Sequence, residues 1–262
     1  MTATLERVEP DSGTAAPRIA LDGVRRVFGR GSAAVAALDG IDLQVAPGEL
    51  VTVVGASGCG KSTLLSLIAG LDKPTSGTVS VLGGQPALMF QEAALFPWLT
   101  AAGNVELALK LRKVGRAERG ERARELLDLV QLGSVADRRA HELSGGQRQR
   151  VALARSLSQD ASVLLMDEPF AALDAITRDV LHSELISLWQ RTRISIVFVT
   201  HNVREAVRLG QRVVLLSSRP GRVVRQWQVG LGHPRAIEDA GVGALSREIT
   251  SQLREEIGRH AR

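Results

Sequence analysis

The stretch Val53-Val54-Gly55-Ala56-Ser57-Gly58-Cys59-Gly60-Lys61-Ser62-Thr63-Leu64-Leu65 limits the fold more than any other part of the chain. An apolar run over residues 50–54 leads into a glycine-rich turn, and an apolar helical pattern follows. Residues 55–62 fit G-x-x-x-x-G-K-[ST], the loop that cradles nucleotide phosphates. Gly55, Gly58 and Gly60 let the backbone curl until successive N–H groups converge on anionic oxygens. A helix beginning near Lys61 adds unpaired N–H donors and its positive dipole end. Lys61 is expected to neutralise β/γ-phosphate charge, and the Ser62 hydroxyl to ligate Mg²⁺. Ala56, Ser57, Cys59 and Thr63 complete the expected loop contacts. A strand before and a helix after separate this pattern from a chance glycine turn, so the chain is expected to bind a nucleoside triphosphate.

The rest of the composition excludes several classes. At 262 residues, one domain with elaborations is expected. No run approaches the ~18–20 apolar residues that cross a bilayer, and the polar N-terminus has no apolar signal region, so secretion is not expected. Cys59 is the only cysteine, which rules out an internal disulfide and fits a reducing compartment. Its place in the phosphate loop, beside backbone N–H groups and Lys61, is expected to lower its pKa and open it to alkylation that ATP would block. The net charge of +5 invites a nucleic-acid or membrane-surface reading. The basic residues are mostly interleaved with acids, as over residues 116–125, which reads as a solvated helix face. Nucleic acid is therefore not expected as a partner, and shallow contact with anionic headgroups is favoured over it.

Residues 1–17 read as a disordered tail, residues 18–229 as the main domain, and residues 230–262 as a Gly-rich linker and last helix. Strands are expected at 19–24 and 36–45, with Phe28 in the connection between them. Short strands follow at 78–82 and 87–90. Two charged helices, near 101–112 and 117–130, lie in a helical insert spanning about 92–158. Strand–loop–helix units then recur: strands at 162–166, 195–199 and 212–216, and helices from about 176 and over 203–209. The last helix carries Leu245, Ile249, Leu253 and Ile257 as one apolar stripe, expected to pack on the body or on a partner. Strands such as 163–166 and 196–199 are apolar without alternation, as parallel strands covered on both faces should be. Strand and helix alternate, so a doubly wound α/β core follows, with ligands gathering at the carboxyl ends of its strands. The phosphate loop, Asp167-Glu168 and His201 all fall there.

Asp167, at a strand end, suits the Mg²⁺ shell. Glu168 suits the orientation or polarisation of an attacking water; helix capping is the alternative for this acidic pair. Leu143-Ser144-Gly145-Gly146-Gln147 opens a helix, a second phosphate-seeking terminus. A plain cap at Ser144 would explain neither the Gly-Gly pair nor the glutamine.

Taken in order, the phosphate loop, Gln91, Leu143 to Gln147, Asp167-Glu168, Ala172-Leu173-Asp174 and His201 resemble the nucleotide-binding subunit of ATP-binding-cassette (ABC) proteins. The resemblance covers about residues 19–229. It implies a P-loop NTPase fold with a parallel-sheet core, an antiparallel β subdomain and a helical subdomain carrying the signature Ser144, Gly145, Gly146 and Gln147. It also implies ATP and Mg²⁺ as cofactors and a head-to-tail homodimer. In that dimer the signature of one chain closes on the γ-phosphate held by Lys61 of the other. Ser62, Gln91 and Asp167 would then serve the metal, Glu168 would be the catalytic carboxylate, and His201 would bridge it or its water to the γ-phosphate. Asp174 would couple the two sites.

Two departures stand out. The family often stacks a tyrosine on adenine, and this chain has none; Phe28 occupies the place, with a core phenylalanine as the other reading. Only Gly83-Gly84-Gln85-Pro86 precedes the strand that ends near Gln91, where the family has a longer loop.

The run from Gln91 to Thr100, with Asn104-Val105, looks like an importer subunit, and residues 216–222 look like the nitrate/sulfonate/taurine branch. Pro97 and Trp98 are expected to receive a permease helix, with a core tryptophan as the alternative. The resemblance implies a peripheral ATPase at the cytoplasmic membrane face, working with permease subunits and, indirectly, a solute-binding protein. An aliphatic sulfonate is the preferred substrate, with nitrate, taurine or a thiamine precursor open. A soluble cassette acting on DNA or ribosomes, or a non-hydrolysing scaffold, are the competing classes. The first lacks its usual tandem cassettes here, and Glu168 and His201 argue against the second.

Overall fold

The computed structural model describes residues 16–260, so the expected tail lies outside the described residues apart from its last two positions. β1 (Ile19–Phe28) pairs antiparallel with β2 (Val35–Val45). The chain then enters β3 (Leu50–Val54), passes through the phosphate loop and forms α1 (Lys61–Ile68). β4 (Ser76–Val81) returns to pair with β1, giving a three-stranded antiparallel sheet in the order β2-β1-β4. Gly83-Gly84-Gln85-Pro86 then carries the chain from that sheet to β5 (Ala87–Met89), the edge of a second sheet. The short connection is pinned: the Ser162 hydroxyl donates to the carbonyls of Leu82 and Gly83 at 3.2 and 3.0 Å.

Three helices follow: α2 (Ala101–Leu111), α3 (Arg116–Leu129) and α4 (Gly145–Leu157). The remaining units are β6 (Val163–Asp167), α5 (Ala175–Thr192), β7 (Ser195–Thr200), α6 (Val203–Leu209), β8 (Arg212–Leu216), β9 (Val223–Gln228) and α7 (Ala240–His260). The second sheet has six strands in the order β5-β6-β7-β3-β8-β9, all parallel except β9. The antiparallel β9 is a finding that the sequence patterning misses. Its exposure alternates weakly, and only Trp227 among its residues is buried.

The unbroken apolar strands are explained by covering on both faces. Along β6 and β7, Leu164, Met166, Ile196 and Phe198 face a core shared with α2 to α5. Their neighbours Val163, Leu165, Val197 and Val199 face the other side, towards α1 and the antiparallel sheet. Successive side chains of a strand point to opposite faces, so each face receives an apolar residue at every second position.

The segment after β9 is not a loose linker. Arg235 is buried, and its guanidinium donates to the carbonyls of Val207, Gly210 and Leu231 at 2.6–2.7 Å. Burial pulls its pKa down to about 10. α7 then packs on α6 and β8 through Val242, Ile249 and the partly buried Leu245 and Leu253. The expected stripe leaves the body at its end, where Ile257 is exposed.

Candidate nucleotide-phosphate site

The carboxyl ends of β3, β6 and β7 lie side by side, with Val54 opposite Thr200 and Asp167 opposite Val199. Side-by-side parallel strands thus deliver the phosphate loop, the acidic pair and His201 to one edge of the sheet. They open on a cavity of about 620 Å³ lined by Phe28, Ser57, Gly58, Gly60, Lys61, Ser62, Thr63, Gln91, Asp167 and Glu168. The close curl of the loop depends on Gly60, which has φ 101° and caps α1. A Cβ there would stand 2.7 Å from Leu38 Cδ2 and 2.8 Å from the Ala37 carbonyl, so no side chain fits.

Lys61 is buried, and its ammonium donates to the carbonyls of Gly55 and Ala56 at 2.9 and 3.0 Å. Burial raises the Asp167 pKa, with the nearby Ser62 hydroxyl and Lys61 opposing that rise and the neighbouring Glu168 adding to it. Ser62, Asp167 and the Gln91 amide offer hard oxygen donors, the kind Mg²⁺ prefers alongside water and phosphate oxygens. Among the described residues no group of three His, Cys, Asp or Glu could hold a metal by itself.

Glu168 has φ 44°, an unusual value for a residue with a side chain. Its N–H donates to the Val199 carbonyl at 3.0 Å. That turn directs its carboxylate to His201, whose Nδ1 lies 2.8 Å from Glu168 Oε2. The carboxylate is largely covered, while His201 faces solvent. Behind His201, Asn202 caps α6 by accepting from the Arg204 and Glu205 N–H groups at 3.0 and 3.3 Å.

Phe28 is not a core residue. It ends β1, is 43% exposed and lines the cavity, with the Arg26 guanidinium 4.4 Å from its ring centre. Gln91 follows β5, and three side-chain bonds from α4 hold its loop: Gln149 to the Gln91 carbonyl and Arg155 to the carbonyls of Ala93 and Ala94, each at 2.8 Å. Trp98, 68% exposed, is not a core residue either. It packs against Phe96 with ring centres 5.4 Å apart, while Pro97 lines a separate surface cleft with Gln91 and Gly145.

Several sequence expectations change. Cys59 is 1% exposed, and burial raises its pKa more than Lys61 lowers it. The expected low-pKa, alkylation-prone thiol is thus corrected. Native protein should resist thiol reagents for hours at neutral pH and react within minutes once unfolded, a contrast that a chromogenic disulfide reagent measures directly. Rapid labelling of the native chain would contradict the buried placement.

The glutamine of the signature also gains a local explanation. Ser144 accepts from the Gln147 N–H at 3.2 Å, and the Gln147 side chain accepts from the Ser144 N–H at 2.9 Å, a reciprocal capping box. Gly146 is dictated by packing, since a Cβ there would meet Thr177 Cγ2 at 2.5 Å. A cap plus packing therefore accounts for more of this segment than the sequence suggests. None of Ser144, Gly145, Gly146 or Gln147 lines the phosphate-loop cavity. Asp174 likewise caps α5, accepting from the Thr177 N–H at 2.9 Å, and that bond lowers its pKa.

Three residues that line the cavity are missed by sequence reasoning: Val35, Ala37 and Arg219. Arg219 lines it and reaches the Gly58 carbonyl with Nε and Nη2 at 3.4 Å. Its signal lay in the run 216–222, which marks a branch of relatives but says nothing of position.

Comparison with known proteins agrees with this arrangement. The family described as ABC transporter matches residues 38–171. The nitrate import ATP-binding protein NrtD of Synechocystis sp. is 49% identical, over 79% of this chain and 81% of that protein. A taurine import ATP-binding protein, TauB of Burkholderia pseudomallei, is 47% identical, over 76% and 79% respectively. Among solved structures, a dimeric bacterial ABC transporter cassette superposes with a TM-score of 0.73 at 34% identity, covering 82% of this chain and all of that one. A related dimeric ATP-binding cassette, in a post-hydrolysis state bound to ADP and Pi, gives 0.71 at 33% identity over the same shares.

Proposed function

The chain belongs to the ABC transporter family as one of its ATP-hydrolysing cassettes, and on that premise we propose that it powers a membrane importer of small sulfonates or related anions. The observation that carries the mechanism is the single cavity uniting Lys61, Ser62, Gln91, Asp167 and Glu168, with His201 bonded to Glu168. Loop N–H groups and Lys61 hold the phosphates. Ser62 and Asp167, with Gln91 nearby, would hold Mg²⁺, which would supply charge neutralisation when bound with ATP. Glu168 orients a water and takes its proton, and His201 fixes the carboxylate on one side and meets the γ-phosphate on the other. Phe28 stacks on adenine.

Two copies pair head to tail, so that Ser144, Gly145 and Gly146 of one complete the phosphate site of the other, with Asp174 at the crossing between them. The absence of the signature from its own chain's cavity supports this, as does the dimeric state of the similar cassettes. Among the described residues no helix is long and apolar enough to cross a membrane. In this reading the translocation path is formed by separate permease subunits, supplied by a solute-binding protein, and this chain works at their cytoplasmic face.

The exposed Phe96–Trp98 pair is the permease contact. A buried aromatic anchor typically contributes about 2 kcal/mol or more to such an interface. Trp98→Ala should therefore reduce recovery of the permease on a tagged cassette by at least roughly tenfold, with the thermal midpoint of the isolated variant unchanged. Equal recovery would remove Trp98 from the interface. Substrate is tested by ATP-dependent uptake of labelled alkyl sulfonate, taurine and nitrate into vesicles holding the reconstituted complex. Taurine is itself a sulfonate, so the relatives named for taurine and nitrate import favour this anion class. Uptake of none of the three would overturn the substrate reading.

A further inference from the structure

We propose that the cleft between α6 and α7 is a second anion site, which takes an oxyanion group (phosphate, sulfate or sulfonate) on Arg204, Arg247 and Arg254. The cleft has a volume of about 550 Å³. Arg204 enters it from the first turn of α6, and Ser246, Arg247, Thr250 and Arg254 enter it from α7. On α7, Thr250 and Arg254 follow Arg247 by three and seven residues and Ser246 precedes Thr250 by four, which puts Arg247, Thr250 and Arg254 on one helical face with Ser246 at its edge. Arg247 and Arg254 are therefore two turns apart on that face, with Arg204 opposite.

No carboxylate lines the cleft. Of the three acids of α7, Glu248 accepts from Trp227 Nε1 at 2.8 Å and pairs with Arg225, Glu256 pairs with Arg259, and Glu255 does not line the cleft. Arg204, Arg247 and Arg254 take part in none of the ion pairs among the described residues, although each is exposed enough to reach one. Three like charges around one concavity repel, and an oxyanion between them would turn that repulsion into charge-assisted, fork-shaped hydrogen bonds.

The neutral lining points the same way. Ser246 is 3% exposed, and its Oγ has no hydrogen-bond partner, which leaves a buried hydroxyl donor unspent. Buried polar atoms are nearly always paired, so an orphan beside three guanidinium groups marks a ligand position. The neighbouring Thr250 hydroxyl already donates to the Ser246 carbonyl at 2.6 Å, so Ser246 is the free donor of the two. The site is separate from the nucleotide cavity, with which it shares no lining residue. It is nonetheless close in sequence to the chemistry, because Arg204 lies three residues after His201.

The oxyanion can come from solution or from a lipid headgroup, and the experiment distinguishes the two. Inorganic phosphate and sulfate are titrated calorimetrically into full-length protein at fixed ionic strength. The chains compared are wild type, Lys61→Ala, Arg204→Gln and the double variant Arg247→Gln/Arg254→Gln. Lys61→Ala disables the phosphate loop and should retain one saturable site. In that background, the arginine substitutions should weaken the site at least tenfold and remove the anion-specific rise in thermal midpoint. Phosphatidylglycerol vesicles are sedimented with the same chains. Arginine-dependent vesicle binding without free-anion binding assigns the group to a headgroup, and the reverse assigns it to a soluble ion. Saturable binding that ignores all three arginines, or no arginine-dependent binding of either probe, would overturn the proposal.

Discussion

Replacing Lys61 with alanine is expected to weaken ATP binding roughly a hundredfold, about 3 kcal/mol, at the upper end of what a hydrogen bond to a charged group contributes. Lys61 carries the buried ammonium of the cavity, already held over the loop by the Gly55 and Ala56 carbonyls. The loop therefore presents its cation in place before any ligand binds, so little ordering cost is charged against affinity. Loss of the ammonium also leaves those two carbonyls without their donor, which disfavours the curled loop itself. Titration with a fluorescent ATP analogue measures the effect. An unchanged Kd would mean that phosphate affinity resides in the backbone alone.

The second large effect concerns turnover rather than binding. Glu168→Gln should lower phosphate release at saturating ATP by about a thousandfold, within the usual range for a lost general base, while ATP affinity stays near that of the wild type. The amide is nearly isosteric, so the φ 44° turn and the approach to His201 can be kept. It cannot, however, accept a proton from water. The shape of the site survives and its basicity does not. Equal rates for the two proteins would take the catalytic role away from Glu168.

What was legible in the sequence follows the range of the interactions involved. The phosphate loop, α4 and α6 are written in local signals such as glycine spacing, caps and apolar periodicity. Their bounds at Lys61, Gly145, Val203 and Leu209 agree with the chain's own punctuation. β9 was not legible, because its one buried residue, Trp227, is fixed by contact with α7 and not by any pattern within the strand. The pinned stretch before α7 was hidden for a similar reason. Arg235 reads as a solvated charge until the carbonyls of Val207 and Gly210, far off in sequence, surround it.

At the site, the sequence could name residue types but not their environment. Cys59 lies beside a lysine in both readings, yet only the fold shows the thiol buried within the apolar cluster around α1 and β3. Desolvation outweighs the neighbouring charge there, and the direction of the pKa shift reverses. Phe28 and Trp98 each had a core reading that only their exposure in the fold could remove. Gln147 went the other way, since a residue that seemed to need a ligand proved to have a partner in its own helix cap.

The bonds from Gln149 and Arg155 to the backbone of residues 91–94 have a mechanical meaning. Gln91 is tethered at both ends, to the sheet through β5 and β6 and to α4 through its own carbonyl. Any swing of α4 relative to the sheet must be absorbed in the few bonds between Met89 and Gln91. The segment leading to Trp98 would travel with the helix, and Gln91 would sit at the pivot. A push delivered at the aromatic pair would then reach the rim of the phosphate cavity as a rotation about Gln91.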